Sequence, residues 1–284
     1  MTTDVVDDFV IYDPEAVAPL ARLGWSVDDV PWRSLADWSR YDLVVIRSPW
    51  DYQDDPEAFL DVLAQIDASK ARLENPLPVV RWNLRKTYLR DLEAAGVRIV
   101  PTVWGEGLTA DRLGDLFGAW DAREAVVKPV VGANADDAFR LGAGGLGAGG
   151  AWDEAVSTFA DRAFMAQPFV HAVVDEGEFS VFVFGGAVSH AILKTPASGD
   201  FRVQEEHGGR IQGVAPEAAL LALTEAALAA VPHSDPLLYA RVDAVRMPDG
   251  GFAVMELELI EPSLYFPYGP GSATRFAEAV AALG

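Results

Sequence analysis

Residues 237–262 read LLYARVDAVRMPDGGFAVMELELIEP. Two apolar runs of strand-forming residues flank the sequence PDGG at 248–251, which is typical of a β-hairpin. If residues 249–250 form a two-residue turn, residues equally distant from that turn face each other across the two strands. This register predicts that Asp243 lies directly opposite Glu256.

The same register predicts further cross-strand pairs, namely Arg241 with Glu258, Val245 with Val254 and Met247 with Phe252. Side chains alternate between the two faces of a strand. Glu256 and Glu258 are therefore expected on one face, with Phe252, Val254 and Ile260. The result is a partly apolar sheet face that carries several carboxylates and one arginine.

Carboxylates in that arrangement need a cation. Like charges that face each other across strands destabilise a sheet, and buried carboxylates take up protons or bind metal. Oxygen ligands from one hairpin suit Mg²⁺, with Mn²⁺ as an alternative, so we predict a metal site formed by Asp243, Glu256 and Glu258. The other interpretation is an exposed acidic face, which the apolar neighbours make the weaker one.

The bulk composition excludes several classes of protein. The chain has 284 residues, half of them hydrophobic, which allows two or three subdomains around a cleft. A formal net charge of -21 argues against a nucleic-acid partner. No apolar run is long enough to span a membrane, and Asp4, Asp7 and Asp8 oppose a signal peptide. With no cysteine as well, we expect a cytoplasmic location, while a homodimer stays open.

Alternating elements at the start of the chain predict a small α/β domain over 1–78. Apolar periodicity predicts helices over 13–24 and 56–66, and the apolar run at 41–46 predicts a buried parallel strand. The acidic residues 1–10 predict only a weak first strand.

A second unit is predicted over 79–166. The glycine-rich sequence GAGGLGAGG at 142–150 lacks the Lys-Ser/Thr pair of a phosphate loop, so we interpret it as a flexible hairpin or linker. The other predicted elements are a helix from the N-cap Asn83 to Ala95, a strand over 97–100, a helix over 109–120 and a strand over 125–131.

The third unit, over 167–284, is predicted to consist mainly of strands. Gly185-Gly186 separates two apolar runs and indicates a tight hairpin, with strands over 178–184 and 187–194. A helix over 216–231 then leads into the carboxylate hairpin.

Lysine is rare in this chain, which has only Lys70, Lys86, Lys128 and Lys194 among its 22 basic residues. Lys128 lies in an apolar strand, where an ammonium needs an anionic partner. The loop Gly132 to Asn134 that follows is small enough for backbone amides to approach phosphate oxygens. Lys86 is predicted in the first turn of a helix, where a phosphate would offset the unfavourable dipole. A salt bridge for Lys128 and a solvated side chain for Lys86 are the alternatives.

The order of these motifs resembles the ATP-grasp superfamily, and particularly its glutathione-synthetase-like branch. The resemblance implies an α/β chain of α+β subdomains, with an N-terminal α/β domain and two subdomains that clamp ATP. It implies that Lys86 and Lys128 hold the α- and β-phosphates. Gln167, Phe169 and Val170 resemble the interdomain hinge that holds adenine, and Glu178 resembles the acid that binds the ribose hydroxyls.

The resemblance also suggests residues for the chemical step. Lys194, Arg202 and Arg210 resemble the basic residues around the γ-phosphate and the acceptor carboxylate, and Asp243, Glu256 and Glu258 fall on the ligands of two Mg²⁺ ions. Glu258 departs from the pattern, because the glutathione-synthetase sequence ends in Glu-x-Asn. A second full carboxylate should tighten metal binding and adds negative charge beside the phosphates.

Three phrases resemble a narrower group, the cyclo-ligases that form cycloserine from O-ureido-serine. These phrases are RSPWDY at 47–52, DFRVQ at 200–204 and ELELIEP at 256–262. We therefore expect an ATP-dependent carboxylate–amine ligase that forms an amide through an acyl phosphate on an amino-acid-like substrate. Arg202 and Arg241 are candidates to stabilise the oxyanion, and Arg47 and Asp51 to bind the substrate, although a capped, packed loop explains the latter two equally well.

Three alternatives remain at this point: an intramolecular cyclo-ligase, a small-molecule kinase and a nucleotide-binding module without turnover. All three would use the same nucleotide site, so the residues above do not separate them.

Overall fold

The computed structural model describes residues 1–4, 9–145 and 150–284 of the chain. Within these ranges the chain forms a small N-terminal α/β unit, followed by two larger units that are each built on an antiparallel sheet. No helix in these ranges is long and apolar enough to cross a membrane.

The N-terminal unit contains a parallel sheet of β1 (Leu43–Val45) and β2 (Arg72–Glu74). Helices α1 (Pro14–Arg22) and α2 (Pro56–Asp67) form where the apolar periodicity predicts them. The predicted strand over 41–46 is shortened to β1. Residues 5–8 of the predicted weak first strand lie outside the described residues.

Asn83 does not cap a helix as predicted, because it is the last residue of α3 (Leu77–Asn83), and α4 (Tyr88–Ala94) begins later. Its buried amide instead donates a hydrogen bond to the Leu257 carbonyl at 2.8 Å and accepts one from the Leu259 amide at 2.9 Å. The predicted strand over 97–100 is also wrong. That segment forms only an isolated bridge, between Ile99 and Val254.

The second unit is a four-stranded antiparallel sheet in the order β3-β6-β4-β5. Its strands are β3 (Val103–Glu106), β4 (Glu124–Pro129), β5 (Phe139–Gly142) and β6 (Ala163–Pro168), and its helices are α5 (Ala110–Trp120) and α6 (Ala151–Thr158). The helix predicted over 109–120 therefore forms, with the Thr109 hydroxyl accepting a hydrogen bond from Arg112 N. Residues 146–149 of the predicted glycine-rich linker lie outside the described residues.

The third unit is a five-stranded antiparallel sheet in the order β11-β10-β7-β8-β9. Its elements are α7 (Ala172–Asp175), β7 (Glu178–Phe184), β8 (Ala187–Thr195), β9 (Arg210–Val214), α8 (Ala218–Ala229), β10 (Tyr239–Arg246), β11 (Phe252–Glu258) and α9 (Ser272–Ala281). Gly185 and Gly186 both have positive φ angles, 56° and 81°, as the predicted tight hairpin requires.

The β10–β11 hairpin pairs Asp243 with Glu256, and Arg241 with Glu258, as predicted. Nearer the turn the prediction is wrong, because the loop is one residue longer: Met247 N donates to Gly251 O, and Arg246 pairs with Phe252. A β-bulge between the partners of Asp243 and Ala244 restores the register.

The bulge has a second consequence, since an inserted residue exchanges the two faces of the strand. Val254 pairs with Ala244 and packs in the core with Val242 and Leu257, on the face opposite Glu256. The prediction that Val254 and Phe252 share a face with Glu256 is therefore wrong.

Candidate active site

A cleft lies between the four-stranded and five-stranded sheets, and segments of the N-terminal unit close one end of it. Most of the site residues predicted from sequence line this cleft. They are Lys86, Lys128, Gly132, Asn134, Gln167, Phe169, Val170, Glu178, Lys194, Arg202, Arg241, Asp243, Glu256 and Glu258.

Asp243 is the most heavily bonded carboxylate of the cleft. Arg241, two residues away on the same face of β10, donates from Nε to Oδ1 at 3.0 Å and from Nη2 to Oδ2 at 2.9 Å. Ser180 donates to Oδ1 at 2.5 Å, and Lys194 Nζ lies 3.4 Å from Oδ2. Burial opposes the charge, but Arg241 and Lys194 outweigh it and hold the pKa of Asp243 below its usual range.

The two glutamates of β11 each pair with a different cation. Lys86 donates to Glu256, and Arg241 donates to Glu258. Burial raises the pKa of Glu258 to about 8, because the attraction of Arg241 does not compensate for desolvation and for the neighbouring carboxylates. For Glu256, burial is outweighed by Lys86 and Lys128, so its pKa is lowered.

The remaining two lysines of the cleft differ in their surroundings. Lys194, which is 3% exposed, pairs across strands with Glu178, and its Nζ lies 2.5 Å from Glu178 Oε1. Lys128 on β4 forms no ion pair within 4.0 Å among the described residues, and burial lowers its pKa. A partly buried ammonium without an ionic partner has the environment of a site for an anionic ligand.

The hinge between the two sheets is formed by the end of β6. Gln167 is buried and donates from Nε2 to Thr102 Oγ1 at 2.9 Å. Phe169 is 8% exposed, and the guanidinium of Arg140 lies 3.7 Å from the centre of its ring. Arg140 in turn makes two 3.0 Å hydrogen bonds to Glu124, so the aromatic wall at this end of the cleft is held in place.

The loop after β4 contains two consecutive residues with left-handed backbone. Asn134 and Ala135 both have positive φ angles, 54° and 58°, which turn successive N–H groups away from regular pairing. A Cβ on Gly132 would lie 2.8 Å from Pro129 Cγ, so a larger residue would displace the loop. Asn134 Nδ2 donates to the Trp50 carbonyl at 3.4 Å and links the loop to the N-terminal unit.

Three predicted residues do not line this cleft. Arg47 donates from Nε to Asp13 Oδ1 at 3.0 Å and from Nη2 to Pro262 O at 2.7 Å, and it faces a separate cavity of the N-terminal unit. Asp51 accepts a hydrogen bond from Trp32 Nε1 at 2.7 Å and pairs with Arg33. Arg210 is exposed at the start of β9. The polar atoms of Arg47 and Asp51 already have protein partners, as the capped-loop interpretation expects, and a role of either residue in substrate binding stays a prediction.

Several cleft residues were not predicted from sequence. Trp50 lines the cleft and donates from Nε1 to the Glu261 carbonyl at 2.9 Å, which joins the RSPWDY loop to the end of the hairpin. Burial raises the pKa of Glu261 to about 7. Gln204 and Glu205 line the cleft as well. The signal that could have found them is the resemblance itself: Trp50 lies in RSPWDY, Gln204 in DFRVQ and Glu261 in ELELIEP, and Glu205 directly follows DFRVQ.

The carboxylates fit a magnesium site by their chemistry, since all their donor atoms are oxygens. Within the described ranges no three His, Asp or Glu side chains lie close enough together to hold an ion. The reason is visible in the contacts: Glu256 and Glu258 are directed to Lys86 and Arg241. Metal binding therefore requires these two glutamates to exchange their cationic partners.

Comparisons with known proteins agree with this geometry. The family model of the D-cycloserine synthetase DcsG N-terminal domain matches residues 1–75. The cycloserine biosynthesis protein DcsG of Streptomyces lavendulae is 34% identical over 305 residues, which cover 99% of this chain and 97% of that protein. The crystal structure of D-cycloserine synthetase DcsG has a TM-score of 0.85 and 32% identity, covering 95% of this chain and 93% of that one.

More distant structures share the fold alone. The D-alanine–D-alanine ligase of Bacillus anthracis has a TM-score of 0.67 at 16% identity, covering 95% of this chain and 89% of that one. The predicted α/β architecture of the ATP-grasp type is confirmed by the DcsG structure together with these more distant ones. From its full-length similarity to DcsG, this chain belongs to the D-cycloserine synthetase family of ATP-grasp ligases.

Proposed function

We propose that this ATP-grasp ligase uses ATP to turn a carboxylate of an amino-acid-like substrate into an acyl phosphate, which an amine then captures as an amide. In the first step the γ-phosphoryl group passes to a carboxylate oxygen and ADP leaves. In the second step the amine nitrogen attacks the acyl carbon, loses a proton and displaces inorganic phosphate. The observation that carries this proposal is the single cleft in which buried lysines and Arg241 alternate with three carboxylates.

As an ATP-grasp ligase the chain uses ATP and Mg²⁺. We assign two ions to Asp243, Glu256 and Glu258, with Mn²⁺ as a substitute. When bound, the ions neutralise phosphate charge and polarise the transferred group. Lys86 would become available to the phosphates if Glu256 held a metal ion, because Lys86 is the present partner of Glu256. Lys128, which forms no ion pair among the described residues, is available already, and we assign the two lysines to the α- and β-phosphates.

The chain's own cations act on the transferred group. Lys194 is held by Glu178 and Asp243, and Arg202 by Asp200, so neither has to be ordered when the substrate binds. We assign both to the charge of the γ-phosphoryl group. Arg241, anchored by Asp243 and by the Ser263 carbonyl at 3.2 Å, is placed to stabilise the tetrahedral oxyanion.

Ring closure within one molecule is the second candidate, and its support is the relationship to DcsG. That relative is described as a D-cycloserine synthetase and matches over almost its whole length. In this version the attacking nitrogen and the activated carboxylate belong to one substrate, such as O-ureido-D-serine: the ureido nitrogen bonded to the side-chain oxygen closes the ring, and water removes its carbamoyl group as ammonia and carbon dioxide. Trp50 and Tyr52 line the cleft on the side of the N-terminal unit.

The test is ADP release with purified enzyme, MgATP and a panel of D- and L-amino acids and O-ureido-D-serine, each with and without a second amine. Amide formation together with ADP supports the ligase, and ADP release from O-ureido-D-serine alone supports ring closure. A stable phosphorylated product would show that the enzyme is a kinase and not a ligase. Nucleotide binding without turnover of any substrate would show that the chain is a nucleotide-binding module.

Small-molecule or peptide substrates follow from the ligase class, and we propose small molecules. A cytoplasmic location, the absence of a nucleic-acid partner and a homodimer stay predictions.

A further inference from the structure

The loop between β8 and β9 covers one end of the cleft. Six consecutive residues of it, 201–206, line the cavity. Arg202 is fixed by Asp200, whose Oδ1 accepts from the backbone amides of Phe201 at 2.7 Å and of Arg202 at 3.0 Å, while its Oδ2 accepts from Arg202 Nη2 at 2.8 Å. The loop therefore presents Arg202 in a defined position.

Gln204 occupies an equally fixed position two residues later. Its carbonyl accepts hydrogen bonds from His207 N at 3.1 Å and from Gly209 N at 3.0 Å. A Cβ on Gly209 would lie 2.1 Å from Val203 O, so this turn requires glycine. Val203 is 4% exposed and packs into the core beside Val245. Arg202 and Gln204 both line the cleft on either side of Val203.

The side-chain oxygen of Gln204 is buried and has no hydrogen-bond partner among the residues that the structure describes. A buried acceptor without a donor is costly, and in a site built for a ligand it marks a missing N–H or O–H group. The phosphates of ATP carry only acceptors at neutral pH. By the resemblance to ATP-grasp enzymes, the adenine amine donates to the hinge at Gln167 to Val170, and the ribose hydroxyls donate to Glu178.

The donor must then come from the second substrate, and we infer that Gln204 accepts a hydrogen bond from the N–H of the nitrogen that attacks the acyl phosphate. This inference rests on the proposed ligase function and names a residue that selects and orients its nucleophile. Arg202 beside it holds the phosphoryl group, so the two side chains bring nitrogen and acyl phosphate together from one rigid loop. An acceptor held at this position orients the attacking nitrogen through its N–H.

The test compares the wild-type enzyme with Gln204→Met, which removes the acceptor and keeps the length of the side chain, and with Gln204→Glu, which keeps an acceptor. Gln53→Met is the matched control, because the Gln53 side-chain oxygen is likewise buried without a partner among the described residues, but Gln53 does not line the cleft. The probe is O-ureido-D-serine with MgATP, and both ADP and the ring-closed product are measured. Added hydroxylamine traps the acyl phosphate as a hydroxamate.

We expect Gln204→Met to lower product formation by roughly 10- to 100-fold, the effect of an unpaired polar group, while hydroxamate still forms and KM for ATP changes by less than about twofold. The ratio of product to ADP falls accordingly. Gln204→Glu retains more product formation than Gln204→Met, and Gln53→Met behaves as wild type.

An unchanged product-to-ADP ratio in Gln204→Met overturns the inference, whether turnover stays at the wild-type level or only KM for the probe rises. An equal loss of hydroxamate and product also overturns it, because the loop then serves the first step. If the wild-type enzyme itself releases no ADP with any substrate of the panel, the proposed function fails and the inference with it.

Discussion

Asp243 faces Glu256 across strands β10 and β11 because two irregularities of the hairpin cancel each other. The turn contains one residue more than a two-residue loop, and the bulge at Met255 adds one residue to β11. The carboxylates therefore face each other as an ideal hairpin would place them, while Val254 moves to the core. The carboxylate face and the apolar face are thus separated within one strand.

Glu256 is expected to be essential for turnover. Replacing it by glutamine removes the charge that Lys86 now balances and that two Mg²⁺ ions would require. We expect kcat to fall by roughly 10²-fold or more, with the same effect for Lys128→Ala. ADP release measures this, and Asp249→Asn on the exposed turn of the same hairpin is the control. Near-wild-type rates in both variants would reject the assignment of the nucleotide site.

Removal of magnesium should abolish ADP release. With EDTA in excess, Glu256 and Glu258 keep their lysine and arginine partners, and the phosphates lose the cations that neutralise them. Activity should return on adding Mg²⁺ beyond the concentration of ATP, and Mn²⁺ should restore it too. ADP release that persists in EDTA, with the metal content of the protein verified by elemental analysis, would contradict the metal site.

Glu205 is expected to hold the Arg202 loop closed. Its carboxylate accepts hydrogen bonds from Tyr12 at 2.7 Å and from Tyr268 at 2.8 Å, which ties the loop to the N-terminal unit and to the C-terminal segment. The double variant Tyr12→Phe with Tyr268→Phe keeps the rings and removes both donors. We expect KM for the carboxylate substrate to rise by about tenfold, with faster proteolysis within residues 196–209.

The single variants serve as controls for that experiment, since each retains one of the two bonds and should show an intermediate effect. If the double variant matches the wild type in both KM and proteolysis, Glu205 does not control the loop.

His190 should make the protein less stable in acid. It is 8% exposed, stacks on Phe182 at 4.2 Å, and burial lowers its pKa from 6.5 to about 4. A lowered pKa means that the unfolded chain takes up the proton first, so stability is complete above pH 6.5 and is lost as the pH falls toward 4. The loss should reach about 3 kcal/mol in the free energy of unfolding, measured by urea denaturation.

In His190→Gln this part of the pH dependence should disappear, whereas His233→Gln is the matched control for loss of a histidine. An equal acid loss in His190→Gln and the wild type would show that other groups cause it.

Asn83 should contribute to the rigidity of the metal hairpin. Its amide bonds to Leu257 and Leu259 on either side of Glu258, and Asn83→Ala leaves a buried carbonyl and a buried amide unpaired. We expect the free energy of unfolding to fall by about 2–4 kcal/mol. Thermal and urea unfolding measure this, and Gln212→Ala at an exposed position of β9 should cost far less. A loss below about 1 kcal/mol would mean that water replaces the amide.

The sequence alone was sufficient for the elements whose signals are local. Periodicity and turn residues located helix α2, the Gly185-Gly186 hairpin and the carboxylate hairpin, because each depends on residues close together in the chain. The same local reasoning failed at Asn83. Asparagine is a good N-cap residue, which is why a helix was predicted to start there. In the structure Asn83 instead ends a helix that begins at Leu77, and its side chain bonds to a distant strand.

Only the tertiary structure decided which side chains meet. Lys86 reaches Glu256 across 170 residues, Tyr12 reaches Glu205 across 193, and no local pattern encodes such pairs. For the predicted substrate residues Arg47 and Asp51, the folded chain supplies partners that the sequence did not predict. Arg47 pairs with Asp13, and Asp51 pairs with Arg33. Sequence determined the strands and the kinds of charge they carry. Long-range packing determined which charges compensate each other and which remain for a ligand, because that depends on distances between segments that only the folded chain brings together.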